Sequence, residues 1–299
     1  MGARHSPTVI RRRLGAVLRP LRQQTGLTCA QVAARLRGLD TGTNWSETKV
    51  SRVETGRIAV HPGDIDELLR FYRVEVHDHA AIMELARLAR QRGWWHAYGD
   101  ALPDWLTIMV DLETAATYLR TYQAEAVPEL LQTERYARAV LAAGPDEPAG
   151  DNLERRAALR LARQELLTAD RAPDLSAVVS EGVLHRVVGG RDVMREQLDN
   201  LASLAARPNV TLRVVPFSAG AHAGFGGGSF VLLDFAEPTD PTVVFVDHLT
   251  GALYLEREAE IRTYVRAFEL VSSVALGADR SLALITTLRD DLAAERPDA

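Results

Sequence analysis

The sequence predicts an α+β protein with two parts, an all-α N-terminal domain and a larger mixed α/β domain behind it. Three observations support this: apolar residues recur at helical spacing up to about residue 75, strand-like apolar runs follow residue 174, and the net charge changes sign between the two parts. We therefore divide the 299 residues into a domain at 1–77, a linker helix and tryptophan-rich junction at 78–105, and a C-terminal domain at 106–299.

The first part is predicted to contain four short helices, each with a start or stop signal. Gly26 ends the first helix, and Thr28 is placed to cap the second. Ser46 caps the third helix, which Gly56 closes. Pro62 opens the fourth helix, because proline is tolerated at a first helical position.

The second part alternates helical and strand-like segments. Apolar periodicity predicts helices at 78–92, 109–122, 129–142, 152–169, 192–207, 256–275 and 279–295. Strands are predicted at 175–180, 210–217, 230–235 and 242–247, and a Pro- and Gly-containing loop at 146–150. The helix at 192–207 followed by the strand near 210 is typical of half a β-α-β unit.

Charge is distributed unevenly along the chain. Residues 1–62 hold eleven Lys and Arg and three acidic residues, a net charge of about +8, so the remainder carries about −13 of the total of −5. A basic N-terminal segment followed by an acidic remainder is typical of a nucleic-acid-binding domain joined to another domain. The alternative is chance clustering of arginines in helices.

Two residue counts exclude whole classes of function. Lys49 is the only lysine, so the body lacks the lysine that a P-loop, a Schiff-base enzyme, a protein kinase or a phospholipase D-type site requires. Cys29 is the only cysteine, which favours a reducing cytoplasm. No apolar run is long enough to span a membrane, and the arginines of Met1–Leu18 precede no signal-peptide core, so we expect a cytoplasmic, nucleoid-associated protein.

The sharpest functional signal lies between Leu27 and Gly56. A short helix, a turn and a second helix with a polar N-terminal half is the arrangement that places the second helix in the major groove of DNA. Glu47, Thr48, Lys49 and Arg52 are the exposed candidates for reaching bases, and the two valines of that helix point into the core.

The segment LTCAQVAARL…WSETKVSRVETGR resembles the XRE-type, Cro-like helix-turn-helix of phage and bacterial repressors, a lambda-repressor-like fold. The resemblance implies that Glu47, Thr48 and Arg52 read bases. It implies that the remaining interface residues lie near phosphates or the helix cap: Thr28, Ser46, Lys49, Ser51 and Arg57. From the charge of Glu47, two roles stay open: accepting from a cytosine amine or capping its helix.

The chain departs from this family in two places. Cys29 stands where the family usually has glutamine, which removes one expected DNA contact. The loop from Gly38 to Trp45 is longer than the family turn, which would tilt the recognition helix. Because one such helix reads only a few base pairs, we also expect a homodimer on a double-stranded operator.

The C-terminal part resembles the uncharacterised domain joined to XRE modules in actinobacterial regulators of the WhiJ and AbaA type. The resemblance rests on four runs: LETAATYLRTYQAEAVPELLQTERYARAVL, RLARQELL, PNVTLRVVPFSAGAHAGFGGGSFVLLDF and VDHLTGALYLE. It implies a regulator of development or antibiotic production and a small acidic partner protein that binds this domain.

Five residues of this domain are candidates for contact with a small-molecule effector or a partner: Tyr122, Gln132, Glu181, His222 and Phe225. A glycine-rich loop at 220–228 carries the last two, and its alternative role is a plain connection between strands. Around Gln132, the alternative is a packed turn in which Thr133 caps a helix. We expect no metal and no cofactor, because ligand spacing and nucleotide fingerprints are missing from the sequence.

Arg155, Arg156, Arg160 and Arg163 form a basic stripe on one predicted helix, either a solvated face or a docking surface for an acidic partner. The sequence as a whole predicts a transcriptional regulator and not an enzyme. Two rivals remain: an enzyme using Glu181, His222 and Tyr122 that the N-terminal module merely localises, and a protein scaffold without a ligand.

Overall fold

The structure is a computed structural model that describes residues 6–39, 43–91, 93–144, 151–237 and 240–294. The chain forms two compact units, Met1–Ala97 with Glu237–Asp240, and Tyr98–Ala236 with Pro241–Ala299. The first is helical and the second combines a sheet with helices, which confirms the predicted fold class. The predicted loop at 146–150 and residues 40–42 of the predicted inter-helix loop lie outside the described residues.

The described part of the first unit contains five α-helices: α1 (Pro7–Gln24), α2 (Cys29–Arg37), α3 (Glu47–Glu54), α4 (Pro62–Phe71) and α5 (Val76–Leu88). Their ends follow the local sequence signals. The Oγ of Ser6 accepts from the backbone N–H of Val9 at 3.1 Å, and Pro7 occupies the first turn of α1. Thr28 and Gln31 form a reciprocal capping box at the start of α2.

These five helices enclose one apolar core. Its fully buried members include Leu18, Val32, Leu36, Trp45, Ile65, Leu68 and Leu69. Helix α5 adds Ile82, Ala86 and Ala89 to the same core. We expected this helix as part of a linker at 78–105, whereas its apolar stripe packs against the helices before it, and the first unit therefore extends to Ala97.

Helices α1 and α3 approach each other at two glycines. A Cβ atom at Gly15 would lie 2.4 Å from the carbonyl oxygen of Glu54. Gly56, which follows α3, has a φ of +66°, and a Cβ there would lie 2.7 Å from the backbone nitrogen of Arg12. Only glycine satisfies both the left-handed conformation and the close contact at position 56.

The second unit contains a six-stranded sheet in the order β3-β2-β1-β4-β5-β6. Its strands are β1 (Tyr118–Gln123), β2 (Asp174–Ser180), β3 (Val210–Val215), β4 (Phe230–Asp234), β5 (Val243–His248) and β6 (Gly251–Leu255). Its α-helices are α6 (Asp104–Ala115), α7 (Glu134–Ala142), α8 (Asp151–Gln164), α9 (Glu181–His185), α10 (Arg191–Ala205), α11 (Glu258–Val274) and α12 (Ala278–Ala294). Strands β1, β2 and β3 run parallel, and the other neighbours pair antiparallel.

Two strands differ from the sequence prediction. The predicted helix at 109–122 ends at Ala115, and β1 follows it in the middle of the sheet. Strand β6 was not predicted at all. Strand β1 forms backbone hydrogen bonds with a neighbour on each side, β2 in parallel and β4 in antiparallel. This pairing outweighs the local helical pattern of its sequence.

Helices cover both faces of the sheet. On one face, Tyr122, Val178, Leu232 and Val244 pack against Phe268 and Val271 of α11. On the other face, Phe245 stacks on Trp105 of α6 with ring centroids 6.4 Å apart. Helices α7, α8 and α10 lie in the crossovers from β1 to β2 to β3, and α7 packs against both α8 and α10.

Strand β3 ends the sheet, and the connection between α11 and α12 covers its outer edge. The backbone N–H of Val214 donates to the Oγ of Ser281 at 3.0 Å, and the N–H of Leu276 donates to the carbonyl of Val214 at 2.8 Å. Ser281 is fully buried there. The backbone N–H and carbonyl of Val214, which an edge strand would expose, are thereby satisfied within the domain.

Candidate functional site

Helix α3 is held by an N-terminal cap and two buried valines. The Oγ of Ser46 accepts from the backbone N–H of Lys49 at 3.0 Å, which starts the helix as predicted. Val50 and Val53 are 1% and 3% exposed, so the inner side of the helix is fixed in the core. The outer side is left to solvent over eight residues, a length of about 12 Å.

The outer side of α3 presents most of the predicted DNA-contacting residues. Glu47, Thr48, Ser51 and Arg52 are all exposed, and Arg57 is exposed just beyond the helix. Arg52 forms no ion pair with any residue in the described part of the chain, so its guanidinium is available to an incoming ligand. This face combines a bidentate donor with hydroxyl groups and one carboxylate, the groups that read base edges.

Lys49 is the predicted interface residue that the structure places elsewhere. Its Nζ lies 2.8 Å from the Oδ2 of Asp64 on α4 and 4.5 Å from the centre of the Trp45 ring. The side chain is 24% exposed. An ammonium group held by a carboxylate and an aromatic face stabilises the packing of α3 on α4, and a phosphate contact would require this ion pair to break.

Trp45 anchors the residue just before α3. Its side chain is fully buried, its indole Nε1 donates to Glu67 at 3.0 Å, and its carbonyl accepts from Arg37 at 2.9 Å. Both ends of the loop before α3 are thus tied to the helical core. The long loop was expected to tilt the recognition helix; the indole fixes the point at which that helix starts.

An ion pair fixes the other end of α3. The Nε and Nη2 of Arg22 on α1 donate to the two carboxylate oxygens of Glu54 at 2.6 and 2.9 Å, and Nη1 donates to the carbonyl of Leu27 at 2.8 Å. The side chains are 14% and 5% exposed. Hydrogen bonding to Glu54 raises the pKa of Arg22 despite burial. One guanidinium therefore joins α1, the turn before α2, and α3.

The start of α2 carries two further candidate residues, Thr28 and Cys29. Thr28 is exposed, and its hydroxyl accepts from the backbone N–H of Gln31 at 3.2 Å. Cys29 is the first residue of α2, and burial raises the pKa of its thiol. Sequence reasoning missed Asn44 and Thr55, two exposed polar residues that flank α3. Their position directly beside the predicted helix was the signal that could have identified them.

In the second unit, the carboxyl ends of the parallel strands meet at one edge of the sheet, the usual location of ligand sites in such folds. The structure brings three predicted residues together there. The rings of Tyr122 and His222 are 5.6 Å apart, and Phe225 lies 6.2 Å from His222. Tyr122 is 2% exposed and Phe225 is 77% exposed, and burial raises the pKa of Tyr122.

The glycine-rich loop closes over the Tyr122 ring. A Cβ atom at Gly224 would lie 2.4 Å from that ring, and the backbone N–H of Gly224 donates to the Nδ1 of His222 at 3.2 Å. The aromatic cluster of Tyr122, His222 and Phe225 is therefore a packed feature with one exposed ring. Glycine at position 224 is required by the close approach of the backbone to tyrosine.

Gln132 and Glu181 lie apart from this aromatic cluster. Gln132 is 2% exposed, its amide donates to the carbonyl of Val127 at 2.7 Å, and its Oε1 accepts from Arg160 at 2.9 Å. Thr133 caps α7, as the structural alternative required. The carboxylate of Glu181 accepts from the backbone N–H of Phe217 at 2.6 Å. Of the three residues of the rival enzyme hypothesis, Tyr122 and His222 are in ring contact, whereas the described contacts of Glu181 are with Phe217 and His185.

The two arginines in the C-terminal half of the basic stripe on α8, Arg160 and Arg163, form ion pairs inside the domain. They are therefore neither a solvated face nor a docking surface. Arg163 is 4% exposed and donates to both oxygens of Glu113 at 2.8 and 2.9 Å, and it also contacts Glu129. Arg160 is 12% exposed and contacts Glu129 and Gln132. Although burial opposes ionisation, the two guanidinium groups lower the pKa of Glu129 to about 2. These charges hold the turn after β1 against α8.

Two absences apply to the described ranges of the chain. No group of three or more His, Cys, Asp or Glu side chains there is arranged to hold a metal ion. Every helix there is also too short or too polar to cross a lipid bilayer.

Comparison with known families separates the two parts of the chain. The family model described as "Helix-turn-helix domain" matches residues 13–82, which include α2 and α3. The model described as "Domain of unknown function (DUF5753)" matches residues 106–287, more than half of the chain. No curated protein and no solved structure shows significant similarity to it. The chain therefore belongs to the DUF5753 family and carries a helix-turn-helix domain ahead of the domain that defines this family.

Proposed function

We propose that this protein is a sequence-specific DNA-binding transcriptional regulator that reads an operator with α3. The observation that carries the proposal is the exposed polar face of α3, with Arg52 free of ion pairs to the described residues, on a segment of about +8 net charge. The matched helix-turn-helix domain supports the same function. This composition is typical of an element that enters the major groove.

Each exposed residue receives a role from its chemistry and place. Arg52 reads guanine, because its planar guanidinium can donate to O6 and N7 together. Thr48 and Glu47 reach neighbouring base edges, and Ser51 and Arg57 contact phosphates. Thr28 and Ser46 contribute through the helix N-termini that they cap, where backbone N–H groups favour phosphate oxygens.

We further propose that the protein acts as a homodimer. Helix α3 has eight residues and its exposed face is shorter than one turn of the DNA duplex, so a single copy reads only a few base pairs. Two copies on half-sites about 34 Å apart would supply the affinity and selectivity of a regulator.

The C-terminal domain is proposed as the part that receives a signal, either a small-molecule effector or a small acidic partner protein. The support is the convergence of strand ends beside the aromatic cluster, with Phe225 exposed on it. The resemblance to WhiJ- and AbaA-type actinobacterial regulators of the XRE family favours such a role, in the cytoplasm on the nucleoid. Binding would bias the dimer between states of different operator affinity.

The test starts from a binding site selected from a random DNA library by the full-length protein. Arg52→Ala should then cost about 1–3 kcal/mol on the selected site and relax preference at one base pair. Arg70→Ala is the matched control, because Arg70 is 77% exposed on α4 and pairs with Asp66 of the same helix. Equal weakening on every sequence would reassign Arg52 to phosphate, and failure to select any site would refute sequence-specific binding.

A further inference from the structure

An open cleft lies beside the carboxyl ends of β2 and β3, apart from the aromatic cluster. Its volume is about 560 Å³, and it is widely open to solvent rather than enclosed. Residues from three regions line it: Glu181 after β2, Pro216 to Ser218 after β3, and the segment from Leu276 to Leu284 that includes the start of α12. The cleft thus lies where open parallel sheets usually bind ligands.

The floor and walls of the cleft are largely apolar. Phe217, Leu276 and Leu284 contribute side chains to it, and Phe217 is 63% exposed. The ring of Phe217 packs beside the imidazole of His185, with centroids 5.5 Å apart, which holds it at the rim. A large aromatic ring kept in place but left open to solvent is a surface that an apolar group can cover.

The charge of the cleft is set by Arg280. This residue is exposed in the first turn of α12 and forms no ion pair with any residue that the structure describes. The second charged residue of the lining, Glu181, is already engaged, since its carboxylate accepts from the N–H of Phe217 at 2.6 Å and lies 3.4 Å from His185. Glu181 keeps its negative charge in these contacts, so Arg280 is the charged residue of the lining whose hydrogen-bond donors are left for a ligand.

We propose that this cleft binds a small apolar molecule carrying one carboxylate, with the carboxylate on Arg280 and the apolar body against Phe217 and Leu284. A guanidinium pairs with a carboxylate in a bidentate fork, and the hydroxyl of Ser218 in the lining adds a donor. The volume admits a molecule of one or two rings or a medium acyl chain.

This assignment places the ligand in a cleft separate from the aromatic cluster, and it rests on the effector role proposed above for its biological meaning. The cleft borders the segment that covers the edge of β3 through Leu276 and Ser281. A ligand between Phe217 and α12 would therefore stabilise the closed edge of the sheet. Binding itself is measured without DNA, so its failure is distinguishable from failure of operator recognition.

The experiment titrates full-length protein with 2-naphthoate, benzoate and octanoate, followed by calorimetry, with neutral 2-naphthamide as the charge control. We expect saturable binding of at least one acid, at least tenfold weaker binding by Arg280→Ala, and partial recovery in Arg280→Lys. Arg195→Ala is the matched control, because Arg195 is exposed on α10 and outside the cleft, and it should bind like the unmodified protein.

A second variant tests the apolar half. Leu284→Glu places a carboxylate in the cleft and should weaken binding at least tenfold, with the thermal unfolding curve recorded to verify folding. Three results would overturn the proposal: no saturation by any acid at millimolar concentration, equal affinity for naphthoate and naphthamide, or undiminished binding by folded Arg280→Ala.

Discussion

Removal of Arg22 is expected to destabilise the N-terminal unit, because this arginine pairs with a buried carboxylate. Arg22→Met keeps a side chain of similar length but leaves the carboxylate of Glu54, 5% exposed, without its two charge-assisted hydrogen bonds. Removing one partner of a buried pair typically costs about 3–5 kcal/mol. Because Arg22 is 14% exposed and water can reach part of the pair, we expect about 3 kcal/mol in the free energy of unfolding.

The double variant Arg22→Met with Glu54→Leu separates this cost from lost packing. It removes both charges, so only the hydrogen bond from Arg22 to the carbonyl of Leu27 is missing, worth about 1 kcal/mol. The double variant should thus be about 2 kcal/mol more stable than Arg22→Met alone, so the effects of the two substitutions are not additive.

The assay is urea unfolding of the full chain, followed by hydrogen–deuterium exchange in peptides from α1 and α3. Arg70→Met serves as the control, because Arg70 pairs with Asp66 on an exposed helix face, 77% open to solvent, and should cost at most about 1 kcal/mol. A loss below 1 kcal/mol for Arg22→Met, or a double variant that loses the sum of the single effects, would refute the reasoning.

Three further predictions concern single positions. Lys49→Met should leave the salt dependence of DNA binding unchanged, because Lys49 pairs with Asp64; if it contacts a phosphate instead, the log–log slope falls by about 0.9. Gly56→Ala should lower the free energy of unfolding by about 2–5 kcal/mol, because the left-handed backbone is strained and the new Cβ overlaps Arg12. The control Gly26→Ala, with φ +69° and nothing within 4 Å of its Cβ, should lose only the strain of about 1–2 kcal/mol. Similar urea midpoints for the two variants would contradict the overlap. Since the pKa of Glu129 is lowered to about 2 from 4.5, its contribution to stability is present above about pH 4.5 and is lost as the pH falls toward 2; acid titration of Glu129→Gln should show a shallower loss in that window, and an unchanged slope would refute the ion-pair role.

Local signals predicted the helical unit well, because capping and glycine conformation act over a few residues. Thr28, Ser46 and Gly56 occupy the expected cap and stop positions. The position of Lys49 could not be predicted, since spacing on α3 alone does not reveal that Asp64 of α4 faces it. The α5 helix was visible as an apolar stripe, yet its partner helices were not.

Long-range pairing limited the prediction of the second unit. Strand β1 is central only because β2 and β4 bind it from either side, and those partners lie more than fifty residues away along the chain. The same holds for α8, where Arg163 meets Glu113 across an intervening strand and helix. Three of the five candidate effector residues, Tyr122, His222 and Phe225, form one aromatic cluster. Their spacing along the sequence gave no sign that they would meet.

The covered edge of β3 has a consequence for how copies of this protein can associate. Because Leu276 and Ser281 occupy the hydrogen-bonding positions of Val214, a foreign strand cannot extend the sheet at that border without first displacing them. A chain shortened before residue 276 would lose these hydrogen bonds and expose the unpaired backbone N–H and carbonyl groups of Val214 to other copies. Leu276 and Ser281 thus block the addition of a strand from another copy at Val214, one position on the β3 edge of the sheet.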